Sequence, residues 1–423
     1  MDTVNIKVLC WEPYPNGMAC SMRLHNYCRG IILAGGDAQI LILRPTERSA
    51  ESAKNTRKCG RHEGVEYEYT CGATIRSGSF IKRRWLEIKG IARATISVVR
   101  GKERTDAVLL VTNFWPYIAY FALLCKSLGI LCLQEKSEFP FNNRTPRTLI
   151  DRVYQAIYKR YVYRCFDGLL VISHPLQEFF ASRIRKTAQL LLVPPIVDPA
   201  EFSMKRDDTD ELTIVYCGTL TQKKDGVLTL IRAFREVCNK YDNLRLYVVG
   251  CGSGNNDEEE SRQLAREFRI EDRIIFAGYI TRERLRRLVC DASVLALAKP
   301  TGLQADYCFP SKIAEYLATG NPVIVTDTGE ISRYLKDGVN AFVTRPDDTA
   351  AFAEKLQFVL SNPDLAREVG KRGREVALGA FDYRIQAKRI MSFIKELQTS
   401  HSPRGEAGPT HTVREKSQSR ELI

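Results

Sequence analysis

The sequence predicts an α/β protein made of two parallel-sheet domains that face each other across a cleft. Three observations carry this reading. Short apolar runs alternate with stretches of helical periodicity along nearly the whole chain, the pattern of a parallel sheet covered by helices. The length, 423 residues, exceeds one ordinary core and suits two domains of about 200 residues. A polar run, Met204 to Glu211, interrupts the pattern near the midpoint and reads as a link. The expected boundaries are residues 1–203 for the first domain and 212–380 for the second, then a last helix over 381–398 and an aperiodic, disordered tail over 399–423.

The elements follow in order. Ile6 to Trp11 reads as the opening strand and Ala19 to Leu33 as the helix after it. The turn between them contains Asn16, Gly17 and Met18, placed to lay backbone N–H groups against an anion or hydroxyl. Further strands are expected at Gln39–Leu43, Val65–Tyr69, Ala107–Thr112, Ile130–Leu133 and Gly168–Ile172. After Leu133 a loop is expected, in which Glu135 and Glu138 could bind acceptor hydroxyls, supply a base, or stand solvated. In the second domain the strands are Leu212–Cys217, Leu244–Val249, Ile274–Gly278, Ser293–Ala298, Pro322–Val325 and Ala341–Thr344. Gly250 to Gly254 invites a dinucleotide reading, which the acids Asp257 to Glu260 oppose, because they would repel a pyrophosphate.

Composition narrows the function. Thirteen cysteines, an odd number with no C-x-x-C pair, read as reduced thiols and a cytoplasmic location. Met1 to Cys10 lacks the pattern of a signal peptide, and no apolar run is long enough to span a bilayer. Residues 1–200 carry 29 Lys+Arg against 17 Asp+Glu, a net +12, whereas residues 201–423 carry 34 against 33, a net +1. The basic first half suits an anionic surface or acceptor. No zinc finger, RNA-recognition or helix-turn-helix pattern accompanies it, so nucleic acid is not an expected partner. Phe80 to Lys89 mixes Lys82, Arg83 and Arg84 with Trp85 on an amphipathic helix, which predicts peripheral contact with an anionic membrane surface, at the inner face of the cell membrane.

The most informative stretch is Tyr307 to Gly329. Pro310 and Ser311 open a short helix and Gly320 closes it. The free N–H groups of its first turn, at Ser311, Lys312 and Ile313, form a phosphate-binding place. Glu315 lies about one turn on, close enough to accept hydrogen bonds from a sugar joined to that phosphate.

This stretch resembles the donor site of the retaining glycosyltransferases of the two-domain GT-B type, family 4. There a glutamate, seven intervening residues and a second glutamate precede Ala-x-Gly-x-Pro-Val-Ile; Glu315 and Leu317 to Ile324 match the second half. The first half departs: Tyr307 stands where the first glutamate is usual, with Asp306 the nearest carboxylate. The resemblance implies two Rossmann-like domains and transfer of a sugar, with retention, from a nucleotide-diphosphate sugar such as a UDP-sugar to a saccharide or lipid-linked acceptor. Cell-envelope polysaccharide or glycolipid synthesis is the implied setting, without metal or other cofactor. It implies that Lys224 and the Ser311 to Ile313 amides bear on the diphosphate, with Glu315 on the ribose and Asp306 on the transferred sugar. Gly218 and Thr219 form the adjoining turn; Thr219 replaces a usual arginine, for which Lys223 could substitute. Tyr279 and Ile280 lie beside the base, and the Asn16 turn faces the acceptor. The departures leave an alternative, a non-catalytic sugar-nucleotide-binding partner in a glycan assembly complex.

Overall fold

The computed structural model describes residues 3–140, 148–204, 210–251 and 257–401. In the first domain the strands are β1 (Asn5–Cys10), β2 (Asp37–Ile42), β3 (Cys59–His62), β4 (Val65–Tyr69), β5 (Ala107–Val111), β6 (Leu131–Lys136), β7 (Gly168–Val171) and β8 (Gln189–Leu192). They lie in the order β3-β4-β2-β1-β5-β6-β7-β8, parallel except for β3. The helices are α1 (Ala19–Leu33), α2 (Phe80–Arg100), α3 (Trp115–Leu128), α4 (Leu149–Arg160) and α5 (His174–Ala181).

The second domain has β9 (Leu212–Cys217), β10 (Leu244–Val249), β11 (Ile274–Gly278), β12 (Val294–Leu297), β13 (Val323–Thr326) and β14 (Phe342–Thr344), all parallel in the order β11-β10-β9-β12-β13-β14. Its helices are α6 (Gln222–Asp225), α7 (Val227–Cys238), α8 (Asp257–Glu267), α9 (Arg282–Asp291), α10 (Leu303–Tyr307), α11 (Ser311–Thr319), α12 (Ile331–Tyr334), α13 (Thr349–Ser361) and α14 (Pro363–Gly379). The order reverses between β9 and β12, and a crevice opens at such a reversal, outside the carboxyl ends of the strands.

The central strands β5, β12 and β13 are buried along their whole length, as parallel strands covered on both faces must be. A last helix, α15 (Tyr383–His401), leaves the second domain and packs on the first. Ala387, Ile390, Ile394 and Leu397 share a core there with Leu24, Tyr27 and Ile31 of α1. The chain thus passes between domains twice. The passages touch where Val197 N–H donates to the Phe381 carbonyl at 2.9 Å and Tyr383 N–H to the Val197 carbonyl at 3.0 Å.

The elements differ from the sequence expectation in three respects. β6 continues to Lys136, so Glu135 lies inside a strand and not in a loop. β3 and β8 add a strand at each sheet edge. Asp306 lies on the short helix α10. Most of the polar link after Met204, the glycines from Gly252 to Gly254 and the tail after His401 lie outside the described residues.

Candidate active site

The floor of the second-domain crevice is built at the end of β9. Asp225, buried in the last turn of α6, accepts hydrogen bonds from Lys312 Nζ at 2.6 Å, the Tyr216 hydroxyl at 3.0 Å and the Thr219 N–H at 3.1 Å. Burial works to raise the pKa of this carboxyl, but the Lys312 ammonium outweighs it and holds the group below its ordinary value. Thr221 caps α6 through its hydroxyl, which accepts from Lys224 N–H at 3.1 Å. Gly218 has no room for a side chain, because a Cβ there would overlap Lys312 Nζ. Lys299, buried behind the turn, donates to the Lys224 carbonyl at 2.9 Å, and desolvation lowers its pKa.

Over this floor stands the first turn of α11, which has no side-chain cap. Ile313 N–H turns back to the Pro310 carbonyl at 3.1 Å, and the Ser311 and Lys312 amides have no acceptor among the described residues. Lys312 therefore offers the crevice its amide, while its ammonium is committed to Asp225. One turn on, Glu315 accepts from Arg282 at 2.8 Å and keeps its side chain 24% exposed. Arg282 also pairs with Glu201 at 3.2 Å, so the carboxylate is held by a fixed guanidinium. Tyr279 is 56% exposed at the end of β11, three residues before Arg282, with Ile280 between them half-buried.

The first domain closes the other side. Lys224 Nζ lies 3.7 Å from Glu138 Oε1 across the cleft, and Lys223 beside it is exposed. Tyr307 does not face an open sugar site: its ring lies 4.5 Å from Phe139 and 6.1 Å from Phe179, centroid to centroid. Its carbonyl accepts from the Ser173 hydroxyl at 2.5 Å. His174 pairs with buried Glu330 at 2.7 Å. Asp306 is exposed next to this clasp.

On the acceptor side, Asn16 is engaged rather than free: its N–H donates to Asn55 Oδ1 at 2.8 Å and its amide to the Lys54 carbonyl at 2.9 Å. Gly17 packs where a Cβ would overlap Ser21, and Met18 is 73% exposed. Glu135 is removed from the surface, because Arg23 donates to it at 2.9 Å while also holding the carbonyls of Val193 and Pro194. Burial raises its pKa, and Arg23 opposes the shift. The structure thus gathers Gly218, Thr219, Lys224, Ser311, Lys312 and Glu315 at one crevice. Glu135 is set apart in the first-domain core.

Asp225, Arg282, Lys299, Lys54 and the His174–Glu330 pair were not singled out by sequence reasoning. Asp225 had a visible signal, as an acid directly after Lys224 in a capped turn.

Residues 211–362 match the family described as Glycosyl transferases group 1. The phosphatidyl-myo-inositol mannosyltransferase of Mycobacterium leprae is 27% identical over 198 residues, 45% of this chain and 48% of that protein. Its Mycobacterium tuberculosis counterpart is 26% identical over 259 residues, covering 59% of this chain and 65% of that protein. The matches thus span about half to two thirds of these relatives' length. Among solved structures, the sucrose-phosphate synthase of Thermosynechococcus elongatus superposes with a TM-score of 0.71 at 18% identity, covering 94% of this chain and all of that one. Anabaena HepE, solved with UDP and glucose, gives 0.67 at 14% identity, covering 93% of this chain and 99% of that one. The chain has the GT-B fold of these structures, and its second domain, over residues 211–362, is similar to the group 1 glycosyltransferases.

Proposed function

We propose that this protein transfers a sugar from a nucleotide-diphosphate sugar to a saccharide or lipid-linked acceptor with retention at the anomeric carbon, as a cytoplasmic step in cell-envelope polysaccharide or glycolipid synthesis. One observation carries the reading. The free amides of α11, Glu315 and Lys224 converge where the strand order reverses. The demand of such a reaction is on the leaving group, since departing diphosphate gathers negative charge as the sugar becomes cation-like. The Ser311 and Lys312 amides and the Lys224 ammonium meet that charge in a fixed geometry. Glu315, locked by Arg282, accepts from the ribose hydroxyls. Asp306 contributes to the transferred sugar. The relatives named as mannosyltransferases of a lipid and the fold of a UDP-bound protein support this class of donor and acceptor.

The basic first domain takes the acceptor at an anionic membrane surface. Phe80, Ile81, Trp85 and Ile88 of α2 are all exposed, beside Lys82, Arg83 and Arg84. Among the described residues no helix is long and apolar enough to cross a membrane.

The alternative, a non-catalytic donor-binding partner, is favoured by Tyr307, whose ring is spent on Phe139. A transfer assay separates the two readings. Lys224→Ala should lower kcat by about a hundredfold and Asp306→Ala by less, with NMR of the product showing the donor's anomeric configuration. Transfer unchanged by both substitutions would remove the catalytic assignment. Donor binding without transfer to any lipid-linked or saccharide acceptor would favour the alternative.

A further inference from the structure

Arg44 is a half-buried guanidinium whose donors meet no acceptor among the described residues. Its Cζ lies 4.2 Å from the centroid of the Trp11 ring, and its Nε has no hydrogen-bond partner. Burial lowers its pKa and the charge of Arg76 adds to the shift, against the opposing pull of Glu87 and Glu12. Glu87 is committed to Arg84 at 2.7 Å. Glu12 is half-buried too, and its carboxyl accepts no hydrogen bond among the described residues. Burial raises its pKa although Arg44 opposes the shift, so the two groups feel each other without forming an ion pair. A buried polar group left without a partner points to a water or ligand that completes it.

Three parallel strands set these groups at the cleft. β1 ends level with β2 and with β5, Cys10 standing opposite Ile42 and Val111. Trp11, Glu12, Arg44 and Phe114 therefore leave the sheet at one carboxyl edge. Glu138 leaves β6 at the same edge, and it lies 3.7 Å from Lys224 of the second domain. Phe114 is 37% exposed, braced by Tyr117 at 4.7 Å and Trp11 at 5.7 Å between ring centroids. We infer that this edge is an acceptor subsite for a sugar bearing an oxyanion, an inference that rests on the transfer reading above. Arg44 binds the oxyanion, Glu12 accepts from a sugar hydroxyl, and Phe114 covers the C–H face of the sugar ring. A guanidinium presents its N–H groups as a planar fork that matches phosphate or carboxylate. Trp11 holds that fork by its face and leaves its edge to the ligand. Arg76 and Arg84 offset Glu12 and Glu87, so the charge of Arg44 remains for the acceptor. The oxyanion is either the phosphate of a lipid carrier or the carboxylate of an acidic sugar.

The test follows the indole N–H resonances of the full chain isotope-labelled at its three tryptophans, with Trp11→Phe assigning the Trp11 signal. Glucose-1-phosphate, glucuronate and neutral methyl glucoside are titrated in turn. One of the two anions should shift the Trp11 signal saturably, at about tenfold lower concentration than methyl glucoside, and the tighter anion tells phosphate from carboxylate. Arg44→Met should bring charged and neutral sugars within about twofold of each other, and Arg44→Lys should keep a weaker preference. Unmoved Trp85 and Trp115 signals show that both variants fold. No donor is present, so the outcome stands apart from whether the second domain binds a nucleotide sugar. Silence of the Trp11 signal toward both anions, an equal response to methyl glucoside, or a preference that survives in Arg44→Met would overturn the subsite.

Discussion

Asp225 holds together the turn on which the donor side of the cleft depends, because three donors from three segments end on its carboxylate. Removing it strands the Lys312 ammonium, only 17% exposed, next to buried Lys299. Asp225→Ala should therefore cost about 3–5 kcal/mol in urea unfolding, the usual effect of leaving one partner of a buried pair uncompensated. A loss below about 1 kcal/mol would place the pair among solvated ones. Lys136 is a second buried cation, with Nζ donating to Asn113 Oδ1 at 2.6 Å and the Tyr158 hydroxyl at 2.9 Å. Burial pulls its pKa from 10.5 to about 7, against the opposing pull of Glu135. Below pH about 7 both folded and unfolded chains carry this proton and the cost of burying the charge is present in full. Between pH about 7 and 10.5 the unfolded chain binds more protons than the folded one, so this group makes stability rise with pH. Measured as urea midpoints at pH 6.5 and 9.5, native protein should gain on Lys136→Met as pH rises; a constant gap between the two would contradict the shift.

Among the elements, α11 was the most legible, because its punctuation is local. Pro310 opens it and Gly320, at φ 77°, closes it in the left-handed conformation that suits glycine. β6 was not legible past Leu133, since Gln134-Glu135-Lys136 reads as polar loop. Each of these side chains meets a group distant in sequence inside the protein: the Gln134 amide donates to the Thr112 carbonyl, Arg23 donates to Glu135 and Lys136 donates to Asn113. Hydrophobic periodicity cannot register a polar residue whose partner is brought to it by the fold. For α2 the sequence showed an amphipathic helix but not which face was free. The structure buries Leu86, Gly90, Ala94 and Val98 and exposes Trp85 at 57%. Vesicles of phosphatidylserine and phosphatidylcholine should sediment the protein at low salt. Lys82→Glu with Arg83→Glu should weaken binding by at least about thirtyfold, since each lost cation near the surface is worth about 1 kcal/mol. No sedimentation of the native chain would end the membrane assignment.

At the scale of the whole molecule, the two parallel sheets followed from alternating pattern and length. The closure of the cleft did not, because its contacts join residues far apart. Tyr307 on Phe139 and Phe179, His174 on Glu330, and Lys224 facing Glu138 all depend on how one domain meets the other. The same holds for Arg282, which gains meaning only once Glu201 from the end of the first domain and Glu315 from α11 reach it together. Donor chemistry was therefore readable on one continuous stretch, whereas the acceptor side and the clasp between domains had to be seen in three dimensions. The claim that unites these parts is that the second-domain crevice holds a nucleotide-diphosphate sugar. Calorimetric titration of UDP- and GDP-sugars into native, Lys224→Met and Glu315→Gln proteins tests it most directly. At least one donor should bind the native protein, and each substitution should weaken it by about tenfold, the loss of one charge-assisted hydrogen bond. Absence of binding by every donor, or binding equal in all three proteins, would contradict the account.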